Sequence, residues 1–185
     1  MIQAATNPLA LRSQEWLANA LLALMEEKEF KDISIKEIAA RADLSRRTFY
    51  RVFETKEDPL IWHLNTLYEE FLTLLRQQDC HQFHDVLALY LSFWSRHAHL
   101  FALLKRSELL PFMLNQYLRV FPEVFKIVKG DYPLSQNADA LAYAMAFSAG
   151  GLLSVLVKWA DEGMTKTPHE ILQMVDIMMQ LPAIE

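Results

Sequence analysis

Three arginines fall within six residues in the segment Ser45-Arg-Arg-Thr-Phe-Tyr-Arg51. A guanidinium is a planar fork of donors that matches the paired acceptors of a guanine edge or two oxygens of a phosphate. Tyr50 and Thr48 add hydroxyls suited to phosphate oxygens, and the threonine methyl can also meet a thymine methyl. In a helix each residue turns by about 100°. Phe49, Val52 and Phe53 then share one arc, while Arg47 and Arg51, flanked by Tyr50 and Thr48, lie opposite. Arg46 is intermediate but stands in the first turn, from where it can still reach outward. One side of this segment is suited to burial and the other to a polyanion.

Other chemistries are poorly supplied. Cys80, His81 and His84 lie close in sequence, as do His97 and His99, and zinc accepts such ligands. Cys80-His81 falls at an expected helix junction, however, and histidines two apart on a helix point in different directions. A metal site is not expected. The four glycines, at 130, 150, 151 and 163, write no glycine-rich phosphate loop. No Ser/His/Asp order, paired-carboxylate helix or Glu-x-x-His motif stands out, so neither an enzyme nor a cofactor is implied.

The elements that must position the arginines are legible. Ser34 can cap a short helix, with Glu37 three residues on completing a capping box. That helix, Ile35 to about Ala42, puts Ile35, Ile38, Ala39 and Ala42 on one face. A break follows at Asp43-Leu44, and Ser45 is placed to cap the arginine-bearing helix, which reaches about Phe53. Upstream, Leu17, Ala20, Leu21, Leu24 and Met25 form one apolar stripe at helical spacing. Two short helices across a tight break are what a helix-turn-helix needs. Downstream, Thr55 reads as the cap of a long fourth helix with Pro59 in its first turn. Its apolar face takes in Leu60, Leu64, Leu67, Tyr68, Phe71, Leu72 and Leu75. Further helices read at about 82–97, 98–106, 108–128 (bent at Pro122), 136–161 and 168–180. No alternating run or hairpin signal suggests a strand. The expectation is an all-α chain of about nine helices: a three-helix helix-turn-helix DNA-binding head, 1–54, and a larger helical domain, 55–185.

Composition agrees with this outline. Hydrophobic residues make up 52% and charged residues 22% of the 185, which excludes a disordered chain. No membrane-spanning helix and no secretory signal are expected. The single cysteine, Cys80, fits a reducing cytoplasm. The net charge of −5 hides an asymmetry. Residues 34–56 hold six Lys/Arg against three Asp/Glu, whereas residues 57–185 hold nine against fifteen. A cationic element sits in an otherwise acidic chain, and its field acts over roughly 10 Å.

The stretch Ser34-Ile-Lys-Glu-Ile-Ala-Ala-Arg-Ala-Asp-Leu-Ser-Arg-Arg-Thr-Phe-Tyr-Arg-Val-Phe-Glu-Thr-Lys-Glu57 resembles the N-terminal signature of TetR/AcrR-type transcriptional regulators. The resemblance implies that Thr48 and Tyr50 contact DNA, that Lys56 meets a phosphate, and that Arg46 and Arg47 occupy base-reading positions. It places Ser34 and Lys36 against the DNA backbone. Ser45 and Arg51 complete the candidate DNA-binding set. Two positions depart from the pattern. Asp43 stands where glycine is usual, and aspartate tolerates the left-handed conformation better than most residues. Pro59 replaces the usual leucine after the Lys-Glu pair.

The remaining two-thirds carry two further expectations. From Ala138 to Trp159 the chain is alanine-rich and nearly charge-free, with small residues at Ala142, Ala146, Ala149 and Gly150 that let another helix approach. The last helix adds Met174 and Met178. The resemblance implies that these two helices pair with their symmetry mates, and Ala142, Ala146, Ala149, Gly150, Leu153, Met174 and Met178 are the candidate dimer interface. Between them and the fourth helix the chain is dense in aromatics, and Tyr90, Phe93, Trp94, Phe112 and Tyr117 are candidate walls of a pocket for a small apolar or aromatic ligand. The reading is therefore a cytoplasmic bacterial regulator, a homodimeric repressor released from a palindromic double-stranded operator by an unidentified small molecule. The alternative is a non-catalytic helical adaptor or co-activator that binds a protein partner; the arginines of the third helix argue against it.

Overall fold

A computed structural model describes residues 7–78, 80, 82–129 and 138–179. Among the described residues it holds nine α-helices and no strand. They are α1 (Pro8–Glu27), α2 (Ile35–Arg41), α3 (Arg46–Val52), α4 (Asp58–Gln77), α5 (Phe83–Arg96), α6 (Ala98–Arg106), α7 (Leu110–Lys129), α8 (Ala138–Asp161) and α9 (Pro168–Met179), with one 3-10 turn at Phe30–Asp32. The all-α reading holds. Two compact units divide between Glu69 and Glu70, within α4. Helix α4 crosses this division as one uninterrupted helix, and its first turns belong to the first unit.

In the first unit α1 packs on both α2 and α3, which also pack on each other. The reason is the apolar stripe: Leu17, Leu21 and Met25 of α1, Ile38 of α2 and Phe49 of α3 are wholly buried. Each helix begins on a side-chain cap. Asn7 accepts the N–H of Leu9 at 3.0 Å, with Pro8 as the first helical residue, where its missing N–H costs nothing. Ser34 and Glu37 form the reciprocal capping box: the Glu37 carboxylate accepts the Ser34 N–H at 3.0 Å, and the Ser34 hydroxyl accepts the Glu37 N–H at 3.3 Å. Lys28 closes the group by donating to Glu37 at 2.5 Å and to the Asp32 carbonyl at 3.1 Å. Helix α4 starts two residues later than its Thr55 cap suggests, since Asp58 reaches back to accept the N–H groups of Glu54 and Thr55 at 2.7 and 2.8 Å.

In the second unit α5 packs on α9 and α7 on α8, with α5 and α6 also meeting α8. Phe93, Trp94, Phe101, Leu156 and Trp159 are nearly or fully buried, and the Trp159 indole donates to the Lys166 carbonyl at 3.0 Å. Helix α7 runs through Pro122 as one element. The proline lies on its exposed side, where water can serve the carbonyl that the ring leaves without an amide partner. Helix α8 is, by length and composition alone, long and apolar enough to cross a membrane, a test that core helices also pass. Its residues 140–157 carry no charge, because the buried arc needs apolar side chains and the outer arc holds alanine, glycine, serine and aromatics rather than ions.

The capping network fixes a pH dependence for the head. The hydrogen bond from Lys28, reinforced by those from Ser34, lowers the Glu37 pKa to about 2. Because the folded-state value is depressed, the stabilisation from this carboxylate is complete above its ordinary value of 4.5 and disappears as the pH falls toward about 2. Glu37→Gln should lower the melting temperature at neutral pH and flatten its fall between those limits. An unchanged acid profile, followed by circular dichroism, would contradict the assignment.

Candidate nucleic-acid interface

The turn before α3 is built by hydrogen bonds rather than by a glycine. Leu44 N–H reaches the Ala39 carbonyl at 2.8 Å and Asp43 N–H the Ala40 carbonyl at 3.1 Å, the paired bonds of a Schellman motif. Such a turn requires a left-handed residue, and Asp43 supplies it at φ 52°. The chain then enters α3 through Ser45, whose hydroxyl accepts the Thr48 N–H at 3.0 Å. Phe49 is fully buried and Phe53 nearly so, their ring centres 5.9 Å apart. Tyr50 stacks edge-on to Phe49 at 5.6 Å while half of it stays exposed.

Burial of Phe49 decides what faces outward. Arg46, Arg47 and Arg51 are exposed, and among the described residues none of them pairs with an acid. Lys36, on α2, is exposed as well. By contrast, Arg41 is taken by a two-point pair with Glu27 at 2.7 and 2.8 Å. Cations free of internal partners, on a helix anchored by an aromatic, can meet phosphates and base edges without first breaking a salt bridge.

The nine residues read from the sequence do not all stand alike. Lys36, Arg46, Arg47, Tyr50 and Arg51 are outward-facing. Thr48 is half-buried, and its hydroxyl lies 2.9 Å from that of Ser45. Ser34 and Ser45 use their hydroxyls as helix caps. Lys56 folds back onto the main chain. Its ammonium donates to the carbonyls of Lys31 at 2.9 Å, Phe30 at 3.0 Å and Ile33 at 3.3 Å. These three bonds use its three N–H protons.

The aromatic layer of the second unit is filled by its own rings. Tyr90, Phe93, Trp94 and Tyr117 are buried, and Phe112 is half-buried. Trp94 meets Phe93 and Phe101 at 5.8 Å and Tyr117 at 6.4 Å. The Tyr90 and Tyr117 hydroxyls lie 3.0 Å apart, and Tyr90 donates to the Leu152 carbonyl at 3.4 Å. Burial pushes the Tyr90 hydroxyl well above its usual pKa. These rings pack on one another as core, because edge-to-face contact leaves no gap between them. A cavity of about 150 Å³ lies instead among Val86, Phe121, Val124, Phe125, Met145 and Ser148. Only Ser148 of these six brings a side-chain polar group. Phe121 and Phe125, which line the cavity, belong to the same aromatic stretch of the sequence.

Among the dimer candidates, Ala142, Ala146 and Met174 are exposed and Gly150 is half-buried. Ala149 and Leu153 are buried within the chain; on the helical wheel they share the inner arc with Leu152 and Leu156. The side chain of Met178 lies outside the described residues. The outward arc also carries Tyr143 and Phe147, 80% and 81% exposed, which the small-residue argument overlooked. Counting about 100° per residue from Ala142 would have found them. Ile177 of α9 is exposed too. Among the described residues no group of three His, Cys, Asp or Glu could hold a metal ion.

Residues 17–58 match the family model described as bacterial regulatory proteins, tetR family. Residues 81–181, more than half of the chain, match the model of a transcriptional regulator C-terminal region. No curated protein matches. Among solved structures the chain is similar to the fatty acid degradation regulator FadR from Bacillus halodurans, with 18% identity and a TM-score of 0.56, over 93% of this chain and 94% of that one. It is equally similar to the dihydroxyacetone kinase operon activator DhaS, with 17% identity and a TM-score of 0.56, over 90% and 94%. At such identities the likeness shows the fold.

Substitutions on the ridge separate the kinds of contact. Arg47→Ala should weaken binding to a duplex by about 1–3 kcal/mol, and Lys36→Ala should reduce the slope of log affinity against log salt by about 1 per head. Tyr50→Phe removes one hydroxyl alone and should cost about 1 kcal/mol with the salt slope kept. Fluorescence anisotropy at several salt concentrations measures all three, and indifference to all three would remove the ridge from the interface.

Proposed function

This chain belongs to the tetR family of bacterial regulatory proteins, DNA-binding transcriptional regulators, and we propose that within it the protein acts as a homodimeric repressor. It holds a palindromic operator and releases it when a small apolar ligand binds. The observation that carries the reading is the outward ridge of Arg46, Arg47, Tyr50 and Arg51 on a helix pinned by the buried Phe49. A single short helix of this kind contacts only a few base pairs. Two of them, about 34 Å apart in one dimer, reach successive major grooves, and the linkage raises affinity by about 10² to 10⁴.

The outer arc of α8 supports self-association. Tyr143 and Phe147 present large rings to solvent beside Ala142, Ala146 and Gly151. Exposed apolar surface of this kind marks an interaction site, and small residues allow a second helix to come close. The cavity beside Phe121 and Phe125 supports an apolar effector, since it offers apolar surface with the Ser148 hydroxyl as the one side-chain polar group among the six residues named. Such a molecule shifts the population toward a DNA-incompetent dimer by its differential affinity, about 1–3 kcal/mol in typical couplings. The neighbour DhaS is titled an operon activator, so transcription must be measured as well as binding. A protein that reads DNA in this way works in the bacterial cytoplasm.

A gel shift with the DNA flanking its own gene, joined to transcription in vitro from the same fragment, tests the reading. Binding that fades with salt and lowers transcript yield is expected; no binding at low salt would overturn it. Phe147→Asp should convert the dimer to a monomer in sedimentation velocity and lower operator affinity by about 10²-fold or more. A variant that remains dimeric would remove the α8 face from the interface.

A further inference from the structure

Lys56 carries no acidic partner in the contacts around its ammonium. It sits instead in a cage of main-chain oxygens, those of Phe30, Lys31 and Ile33 at 2.9–3.3 Å, with the Phe30 ring 4.7 Å away on its flank. The three carbonyls belong to the 3-10 turn and the residue just past it. Lys56 stands two residues before α4. The same turn is held from its other side by Lys28, which donates to the Asp32 carbonyl and to Glu37 at the start of α2. One turn is therefore tied by one lysine to α4 and by another to α2.

From this geometry we infer that Lys56 is a positioning residue: it latches the start of α4 to the turn between α1 and α2 and does not bind a phosphate itself. The inference rests on the DNA-binding reading above and refines it. The argument is one of donors and desolvation. An ammonium has three N–H groups and all are spent. Turning it toward a phosphate would leave three carbonyls to find other partners and would give up the contact with the Phe30 ring. Its neighbours Glu54 and Thr55 are likewise held, through the carboxylate of Asp58. Between α3 and α4 the chain thus has little freedom, and whatever shifts the start of α4 carries α3 and its arginines with it.

Two measurements test the latch. In the first, the wild-type chain is acylated with a succinimidyl ester, with and without operator duplex, and each lysine is followed by mass spectrometry. Lys56 should react several-fold more slowly than the exposed Lys36 before DNA is added and show no further protection afterwards, whereas Lys36 should become protected. In the second, Lys56→Met should weaken operator binding while the salt slope stays at the wild-type value, in contrast to the loss of about 1 per head for Lys36→Ala. A Lys56 that reacts freely and is then shielded by DNA, or a Lys56→Met variant with a reduced slope, would make it a phosphate contact and overturn the proposal. The acylation arm stays decisive if Lys56→Met does not fold. Failure of the wild-type chain to bind any duplex would instead count against the DNA-binding reading itself.

Discussion

The burial of Phe49 is the constraint from which the head takes its meaning. Helix α3 is seven residues long, far too short to persist alone, since a helix of that length does not repay its nucleation. It exists because Phe49 and Phe53 are withdrawn from water and because Ser45 satisfies an amide at its start. Once that side is fixed, the rotation of the helix is fixed, and with it the outward direction of Arg46, Arg47 and Arg51. The cationic surface is thus a consequence of apolar packing on the opposite arc, and the charges need only avoid local acids to stay available.

Charge in this unit is sorted by position. Arg41 is spent on Glu27, Lys28 on Glu37, and Lys56 on three carbonyls. Those cations hold the framework together. Among the described residues of this unit, those left over are on α3, at Lys36 and at Arg12, which lies over the Trp16 ring. Net charge alone, −5 for the chain, would have argued against a polyanion partner. What matters is which cations remain without internal partners within a screening length of each other.

Much of this was legible from residue spacing. The Ser34/Glu37 box, the cap at Ser45, the left-handed Asp43 and the inward arc of α3 all follow from local rules acting over three or four residues, and each appears in the structure as read. What spacing does not show concerns partners distant in sequence. That Lys56 folds back onto residues 25 positions earlier is not written in any motif. Nor is the packing of the aromatic layer written in spacing, because Tyr90 and Trp94 of α5 meet Tyr117 of α7 and only their mutual contact decides whether they enclose space. Helix α8 illustrates a third case. Its uncharged length looked uniform, and the distinction between buried Ala149 and exposed Phe147 depends on where α7 lies against it.

The claim that α3 presents its cationic arc to a duplex is tested most directly on the isotopically labelled full-length chain, by mapping amide shifts as duplex from beside its own gene is added. The largest perturbations should fall on Arg46 to Arg51 and on Ser34 to Lys36, with the core position Ile38 little affected. Shifts confined to α8 and α9, or none on α3 at saturating DNA, would contradict the account.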